Sequence, residues 1–299
     1  MAALIKEIIA DNKSHVTAVV FNADGSLMAS SGFDTTIKLW ETVGFSEVRR
    51  FQGHDNCANV ILFDSGGERL VSASSDSTVR FWQTSTGKNI KTLKPHSRPI
   101  VGLTPLPGGK HLATSSYDGT IRIWDSETGE EAGRVRGKGR EVGHIIFLDG
   151  GSVLMTGGIS PDFTFWSIPG GELLGRLPAH NGGTAVMRIL SDKDSLLSVG
   201  FDGEIKLWRR DGSPVQWQSR RIYRVLKKGY YFSSLSPDEK ILAVSVVRGI
   251  LLIDIDTGEE IDEIRVTPKS LYSPQFHPDG KMLAAGAADK KIRVWDISD

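Results

Sequence analysis

Tryptophan recurs at a fixed interval along the chain, and this spacing constrains the fold more than any other feature. Successive members of the series lie 42 residues apart, at Trp40, Trp82, Trp124, Trp166 and Trp208. The next member, Trp295, follows after 87 residues, close to the length of two repeats, so the missing anchor is predicted at Ile253. A regular period of this length indicates a chain built from stacked supersecondary units. The spacing therefore predicts seven repeats.

Each repeat reads as four short β-strands separated by turns. In the third repeat, the predicted strands are 100–105, 111–115, 120–124 and 131–136. The turn signals between them are Pro107-Gly108-Gly109, Tyr117-Asp118-Gly119 and Thr128-Gly129. Short β-rich runs with a turn every ~8–12 residues, and no helical period, predict an all-β protein.

Several residues recur at fixed positions of the repeat. They are Gly53-His54, Asp76 and Trp82 in the second repeat, and the pairs Trp124-Asp125 and Trp295-Asp296 in the third and the last. With these residues the chain resembles the WD-repeat family of β-propellers, and the resemblance covers its whole length. It implies a single domain over 1–299, an all-β seven-bladed β-propeller of four-stranded blades.

The two ends of the chain are predicted to complete one blade. Only four residues follow Trp295, so the seventh repeat lacks its fourth, outer strand. Residues 1–10 contain an apolar-rich strand that precedes the first repeat. Because unpaired sheet edges invite aggregation, we expect this strand to join the last blade and to close the ring, as in WD-repeat propellers.

Three repeats carry a histidine, a hydroxyl residue, an aspartate and a tryptophan at identical offsets. These tetrads are His54/Ser72/Asp76/Trp82, His96/Thr114/Asp118/Trp124 and His180/Ser198/Asp202/Trp208. A Ser–His–Asp set suggests a hydrolase, yet an enzyme needs one such set, whereas these recur once per blade. The resemblance implies a buried hydrogen-bond network that joins a turn to the third strand. We therefore predict a structural role for the tetrads, with no catalytic residue, metal or cofactor.

Composition argues against several classes of function. The 36 Lys and Arg residues balance 36 Asp and Glu residues, so the chain has no global attraction to nucleic acid or to anionic membranes. Cys57 is the only cysteine, which excludes an internal disulfide framework and a multi-cysteine zinc site. No apolar run is long enough for membrane insertion, and no signal peptide is recognisable. We predict a cytoplasmic protein that is monomeric on its own.

In the resembling family, partners favour the narrow face of the propeller. Its positions include the residue just before each turn aspartate and those three and five residues past the tetrad histidine. Five of these residues are aromatic, namely Phe33, Tyr117, Phe201, Tyr231 and Tyr272. Because aromatic residues are enriched at binding hot spots and exposed apolar patches mark interaction sites, we expect them to contact a partner. The alternative is that some of them fold inward over the central channel.

A basic insertion lies between blades five and six. The chain from the fifth tryptophan anchor to the next inner strand is four residues longer than its equivalent in the preceding repeat. Residues 220–228 are predicted to form a loop in which Arg220, Arg221 and Arg224 contact acidic residues or phosphates. A solvated loop without a binding role is the alternative.

Taken together, these features predict a non-catalytic scaffold that binds a protein or peptide, including acidic residues, on the narrow face. Two alternatives stay open. One is a propeller enzyme or small-ligand sensor that uses the mouth of the central channel, for which a non-repeated polar cluster would be the sign. The weaker one is RNA or phosphate recognition through the basic loop 220–228.

Overall fold

Among the residues that the structure describes, antiparallel four-stranded sheets account for the regular structure apart from one short 3-10 turn at Asp149–Gly151. The computed structural model describes residues 2–10, 14–106, 108–137, 143–224, 232–266 and 270–298. These residues form 28 strands in seven sheets, which we call blades one to seven in the order of the repeats. They contain no α-helix, and so no helix that could cross a membrane. The all-β prediction with seven four-stranded blades is confirmed.

The chain divides into two compact units. The first comprises Met1–Thr92 and Lys227–Asp299, and the second comprises Leu93–Leu226. Within the first unit, blade one contains β2 (Val16–Phe21), β3 (Leu27–Gly32), β4 (Ile37–Glu41) and β5 (Glu47–Phe51). Blade two contains β6 (Ala58–Phe63), β7 (Arg69–Ser74), β8 (Val79–Gln83) and β9 (Asn89–Leu93).

Blades six and seven complete the first unit. Blade six contains β22 (Ser233–Leu235), β23 (Ile241–Val246), β24 (Gly249–Asp254) and β25 (Glu260–Arg265). Blade seven contains β26 (Leu271–Phe276), β27 (Met282–Ala287), β28 (Lys291–Asp296) and the N-terminal strand β1 (Ala3–Ile9).

The second unit consists of blades three, four and five. Blade three contains β10 (Ile100–Pro105), β11 (His111–Ser116), β12 (Thr120–Asp125) and β13 (Glu131–Arg136). Blade four contains β14 (His144–Leu148), β15 (Val153–Gly157), β16 (Asp162–Ser167) and β17 (Leu173–Pro178). Blade five contains β18 (Thr184–Ile189), β19 (Ser195–Gly200), β20 (Glu204–Arg210) and β21 (Trp217–Arg224).

The core of each unit lies between neighbouring blades. Trp82 of blade two packs with Phe51 and Ile37 of blade one, and all three side chains are almost fully buried. Trp208 of blade five packs in the same way with Phe163 of blade four, with the ring centroids 5.3 Å apart. Within each unit, a tryptophan is thus buried against the preceding blade, which is why the period appears so clearly in the sequence.

The N-terminal strand completes blade seven from the other end of the chain. β1 runs antiparallel to β28, with Ala3 opposite Asp296 and Ile9 opposite Lys291. Arg293, which is buried, joins the two strands, because its Nε lies 2.7 Å from Glu7 Oε1 of β1. The same guanidinium donates to Asp289 in the turn before β28, at 3.1 Å from Nη1 to Oδ1. The strand is thus fixed by charged contacts as well as by the sheet.

The basic segment is not a loop where the structure describes it, and this part of the prediction is wrong. Trp217–Arg224 forms β21, an eight-residue outer strand, and residues 225–228 lie outside the described residues. The strand pairs along its length with β20, from Arg210 opposite Trp217 to Glu204 opposite Arg224. Trp217 is buried in the core, which anchors the start of the strand. Arg220 and Arg221 are exposed on the outer edge of blade five.

Candidate functional site

The tetrad of blade two is a continuous chain of hydrogen bonds. Asp76 Oδ2 lies 2.7 Å from His54 Nδ1, and His54 Nε2 lies 2.7 Å from Ser72 Oγ. Trp82 donates from Nε1 to the same Ser72 oxygen at 2.8 Å. Burial raises the pKa of Asp76, but hydrogen bonds from His54 and Thr78 outweigh this effect and lower it below its usual value. The carboxylate therefore stays ionised at neutral pH.

Blades three and five repeat this geometry. His96 lies 2.9 Å from both Asp118 and Thr114, while His180 lies 3.2 Å from Asp202 and 2.8 Å from Ser198. Trp124 and Trp208 donate to Thr114 and Ser198 in turn. Burial lowers the pKa of both histidines, although the neighbouring aspartates partly oppose the shift. For Asp118, burial opposes the bonds from Thr120 and His96, and the pKa is lowered to about 2.

The order Asp–His–Ser matches the atoms of a hydrolase triad, so access to the hydroxyl decides between catalysis and structure. Ser72 and Ser198 have no exposed surface, and each hydroxyl already bonds both a histidine and a tryptophan indole. A nucleophile must reach a substrate carbon, which a hydroxyl enclosed in this way cannot do. The geometry is that of an internal tie between the turn and the strands of one blade.

The other blades keep only part of the network. Trp40 donates to Ser30 at 2.9 Å and Trp166 donates to Thr156 at 3.2 Å. In blade six, Ile253 is buried at the anchor position and replaces the indole with apolar packing alone. Asp289 of blade seven keeps its place but bonds Arg293. The hydrogen bonds of the tetrad are replaced or lost in these blades, but each blade keeps its four strands.

One group in blade five has the atoms of a metal site, although the sequence carries no metal-binding motif. Ligand atoms of His180, Asp202 and Glu204 lie within 4.8 Å of one another. Two of these groups already have protein partners, since His180 bonds Asp202 and Ser198 while Glu204 pairs with Lys206 at 3.2 Å. The cluster is accounted for by the tetrad and one ion pair.

A second position recurs in every blade, immediately before the turn that leads to the third strand. In blades one, three and five the backbone N–H of this residue donates to a carbonyl in the segment that precedes the first strand, from Phe33 to His15, from Tyr117 to Pro99 and from Phe201 to Gly183. This bond fixes the backbone and turns the side chain outward. Large apolar side chains stand exposed there in five blades, namely Phe33, Tyr117, Ile159, Phe201 and Val247.

Within the first unit, four rings from three blades form a row, which we call the aromatic row. Its members are His15 and Phe33 of blade one, Phe232 of blade six and Tyr272 of blade seven. The ring of His15 stacks on Tyr272 at 6.0 Å and lies 5.7 Å from Phe33. Phe232 meets Tyr272 edge-on at 6.1 Å. Phe33 is 52% exposed and Phe232 is 40% exposed, so the row presents two apolar rings to solvent.

Local backbone features place the rings of the row. The register of β26 shifts between Tyr272 and Gln275, and Ser273 has a positive φ of 45°, which is the pattern of a β-bulge that re-aims a side chain. Phe232 is held at the start of blade six because its backbone N–H and carbonyl both bond Ser245. The row is therefore attached to strands of the blades and not to a free loop.

Of the five predicted aromatic contact residues, two belong to the aromatic row, two lie in the second unit and one lies outside the described residues. Phe33 and Tyr272 come together through His15, while Tyr117 and Phe201 are exposed in the second unit. Tyr231 lies outside the described residues, and its neighbour Phe232 supplies the ring of blade six. Arg224 pairs with Glu204 along the strand register. Sequence reasoning missed Phe232 because this residue lies one position beyond the repeat equivalent of Tyr272, as the shared register of Leu235 and Phe276 shows.

Comparison with known proteins identifies the repeats. The WD40 family (WD domain, G-beta repeat) matches five segments that together exceed half of the chain, at residues 4–41, 45–83, 87–125, 171–209 and 264–296. Over its whole length the chain is similar to the β-propeller domain of Cps50 (Swd1) from Myceliophteria thermophila, which is also covered completely, with a TM-score of 0.86 at 17% identity. This likeness shows the fold.

Curated proteins are similar to this chain over part of its length. The chain is 27% identical to pre-mRNA-processing factor 19 of Caenorhabditis elegans over 40% of its own length and 24% of the relative. It is 27% identical to the small ribosomal subunit protein RACK1 of Schizosaccharomyces pombe over 40% of its own length and 39% of that relative. The alignments thus span well under half of these curated relatives. From its repeats and its fold, the chain belongs to the WD40 family and has the fold of a seven-bladed β-propeller.

Proposed function

We propose that this protein is a non-catalytic interaction scaffold whose aromatic row binds a segment of a partner protein or peptide. The observation that carries the proposal is the exposure of two phenylalanines in a row of four rings that are in contact. Apolar rings exposed in this way contribute little to folding, yet burying them against a partner is favourable, and aromatic anchors supply much of the energy of protein interfaces. We further propose that residues 1–299 act as one propeller domain and that the protein is cytoplasmic and monomeric.

The rigidity of the row supports this proposal. Its rings are attached to blades whose hydrophobic cores are well packed, so little conformational entropy is lost when a partner orders them. Propellers in general present variable surface residues on a fixed frame, which suits recognition. Membership of the WD40 family agrees with a role in protein interaction.

The exposed rings of the second unit belong to the same proposal as additional contacts. Tyr117, Ile159 and Phe201 occupy equivalent positions on three successive blades, so an extended segment has apolar anchors there as well. For Arg220 and Arg221, the strand geometry changes the role that we propose. Exposed on the outer edge of blade five, they would attract an acidic segment mainly by raising the association rate, with a strong salt dependence.

Paired variants test the row. Phe33→Ala and Phe232→Ala each remove an exposed ring, and a hot-spot ring contributes ~2 kcal/mol, or about 30-fold in Kd. Val43→Ala is the matched control, because Val43 is an exposed apolar residue of blade one that lies in the hairpin after Trp40, away from the row. Partners captured by wild-type protein from its source cell would be identified and their Kd measured by titration calorimetry. If both phenylalanine variants bind those partners as tightly as the control, the row is not the docking site.

A further inference from the structure

The first strands of the blades are almost free of ionisable side chains. These strands are β2, β6, β10, β14, β18, β22 and β26, and none of them carries an aspartate, a glutamate or a lysine. In a β-propeller the blades surround a central channel, and the first strand of each blade is the one that faces it. The two side chains of these strands that can be positively charged are His144 on β14 and Arg188 on β18.

Both basic residues belong to the second unit, on neighbouring blades. The register partner of His144 is Gly157, and a Cβ at Gly157 would lie 3.1 Å from the sulfur of Met187, the residue before Arg188. The repeat equivalent of Arg188 in blade four is Ile146, two residues beyond His144. At ~3.3 Å per residue, the two backbone positions are therefore offset by about 7 Å along the strand direction. The long arginine side chain can span such an offset.

Neither basic group has a protein partner among the described residues. No hydrogen bond or ion pair joins His144 or Arg188 to a side chain that the structure describes, whereas Arg209 and Arg210 of β20 pair with aspartates. Both side chains are exposed to solvent. Even so, partial loss of solvent around each group lowers its pKa, to about 4 for His144, where the charge of Arg188 adds to the shift. Solvent therefore reaches both side chains, although protein atoms also surround them.

We propose that His144 and Arg188 form a binding site for a tetrahedral oxyanion, such as a phosphate group, on the first strands of blades four and five. A guanidinium presents several N–H donors in a fixed plane that suits phosphate oxygens, and an imidazole N–H adds a donor from the neighbouring strand. The first strands themselves carry no carboxylate that would compete with the anion for these donors. This site is independent of the aromatic row, which lies in the other unit.

Nuclear magnetic resonance titration with inorganic phosphate at constant ionic strength tests the site. Phosphate is expected to shift the backbone amide signals at positions 144 and 188 and to raise the pKa of His144, because an anion stabilises the imidazolium. Arg188→Gln should weaken phosphate binding at least about tenfold, since a charge-assisted hydrogen bond is lost. Arg209→Gln removes the same charge from an exposed surface arginine of blade five and should leave phosphate affinity unchanged.

Three results would overturn the proposal. The first is an absence of phosphate-dependent shifts at positions 144 and 188 in the wild-type protein. The second is an equal loss of affinity in Arg188→Gln and Arg209→Gln, which would indicate a diffuse charge effect. The third is binding of acetate as tight as that of phosphate, which would assign the pair to carboxylates. None of these measurements depends on a protein partner, so failure here leaves the docking role of the aromatic row standing, and the reverse also holds.

Discussion

Replacing Asp76 by alanine measures what a tetrad contributes to stability. Its carboxylate accepts hydrogen bonds from His54 Nδ1, the Asp55 N–H, and both the N–H and the hydroxyl of Thr78. Asp55 is exposed and can bond water, but His54 and Thr78 are buried and lose their acceptor. At ~1–3 kcal/mol for each buried unsatisfied group, and with the Thr78 hydroxyl only 3.2 Å from His54 Nδ1 as partial compensation, we expect a loss of about 2–4 kcal/mol.

We expect the alanine substitutions of the three tetrad aspartates to lower the free energy of unfolding by different amounts. Asp118 accepts the same four bonds as Asp76, including one from the Thr120 hydroxyl. Asp202 has no such threonine, because Glu204 stands in its place, and its contact with His180 is longer. We therefore expect similar losses for Asp76→Ala and Asp118→Ala and a smaller loss for Asp202→Ala. Urea unfolding followed by tryptophan fluorescence gives the free energy of unfolding for each variant.

A control aspartate separates the buried network from ordinary turn contacts. Asp125 accepts backbone N–H bonds from Glu127 and Thr128 at the surface, where water replaces them in Asp125→Ala. If Asp76→Ala loses no more stability than Asp125→Ala, the hydrogen-bond reasoning fails. A loss that is largest for Asp202→Ala would refute the proposed order of the blades.

Two further predictions concern the charged strand closure and the buried histidines. Arg293→Ala should increase deuterium uptake in β1 and β28, because Glu7 and Asp289 lose the guanidinium that joins them. Acidification from about pH 7 to about pH 5.5 should lower the Tm in calorimetry. The reason is that burial lowers the pKa of His96 and of His180 in the folded state, so below about 6.5 the unfolded chain takes up protons that the folded protein does not.

Each of these predictions has a result that contradicts it. Arg265→Ala serves as the control for strand closure, since that arginine is largely exposed and pairs with Glu263 on its own strand. Equal uptake in β1 for the two arginine variants would mean that backbone pairing alone holds the strand. A Tm that is constant or rises on acidification would show that the two histidines gain no less from protonation in the folded protein than in the unfolded chain.

The repeats could be predicted from the sequence because the tryptophan that marks most of them requires a specific environment. An indole needs both a large apolar cavity and a hydrogen-bond acceptor, so its position recurs with the blade, as at Trp82 with Ser72. Ile253 can occupy the anchor position of the sixth repeat because it is buried there, although its side chain cannot donate a hydrogen bond. Pairing of 3–9 with the last strand was likewise predictable from the unpaired edge.

The basic segment shows where counting residues fails. Four extra residues can lengthen either a strand or a loop, and only the pairing partner decides between them. Here Arg209 and Arg210 pair with Gln218 and Trp217, beyond the last pair of the equivalent strands in blade four, so the extra length extends both β20 and β21 at their hairpin. Phe232 was missed for another reason, since it lies one residue beyond the repeat position that Tyr272 occupies in blade seven. Cys57 is buried beside Asn59 and Ser75, which nothing in its neighbouring sequence indicates.

Pairing of β1 with β28 has a consequence for the order of events during synthesis. The two residues joined by the Lys291–Glu7 ion pair are 284 positions apart in the chain. At ~5–20 residues per second, the first strand leaves the ribosome roughly 15 to 60 s before its partner exists. During that interval its apolar side chains have no sheet to join, while the intervening blades can already fold locally. Final closure is thus a long-range, late step that local contacts cannot accelerate.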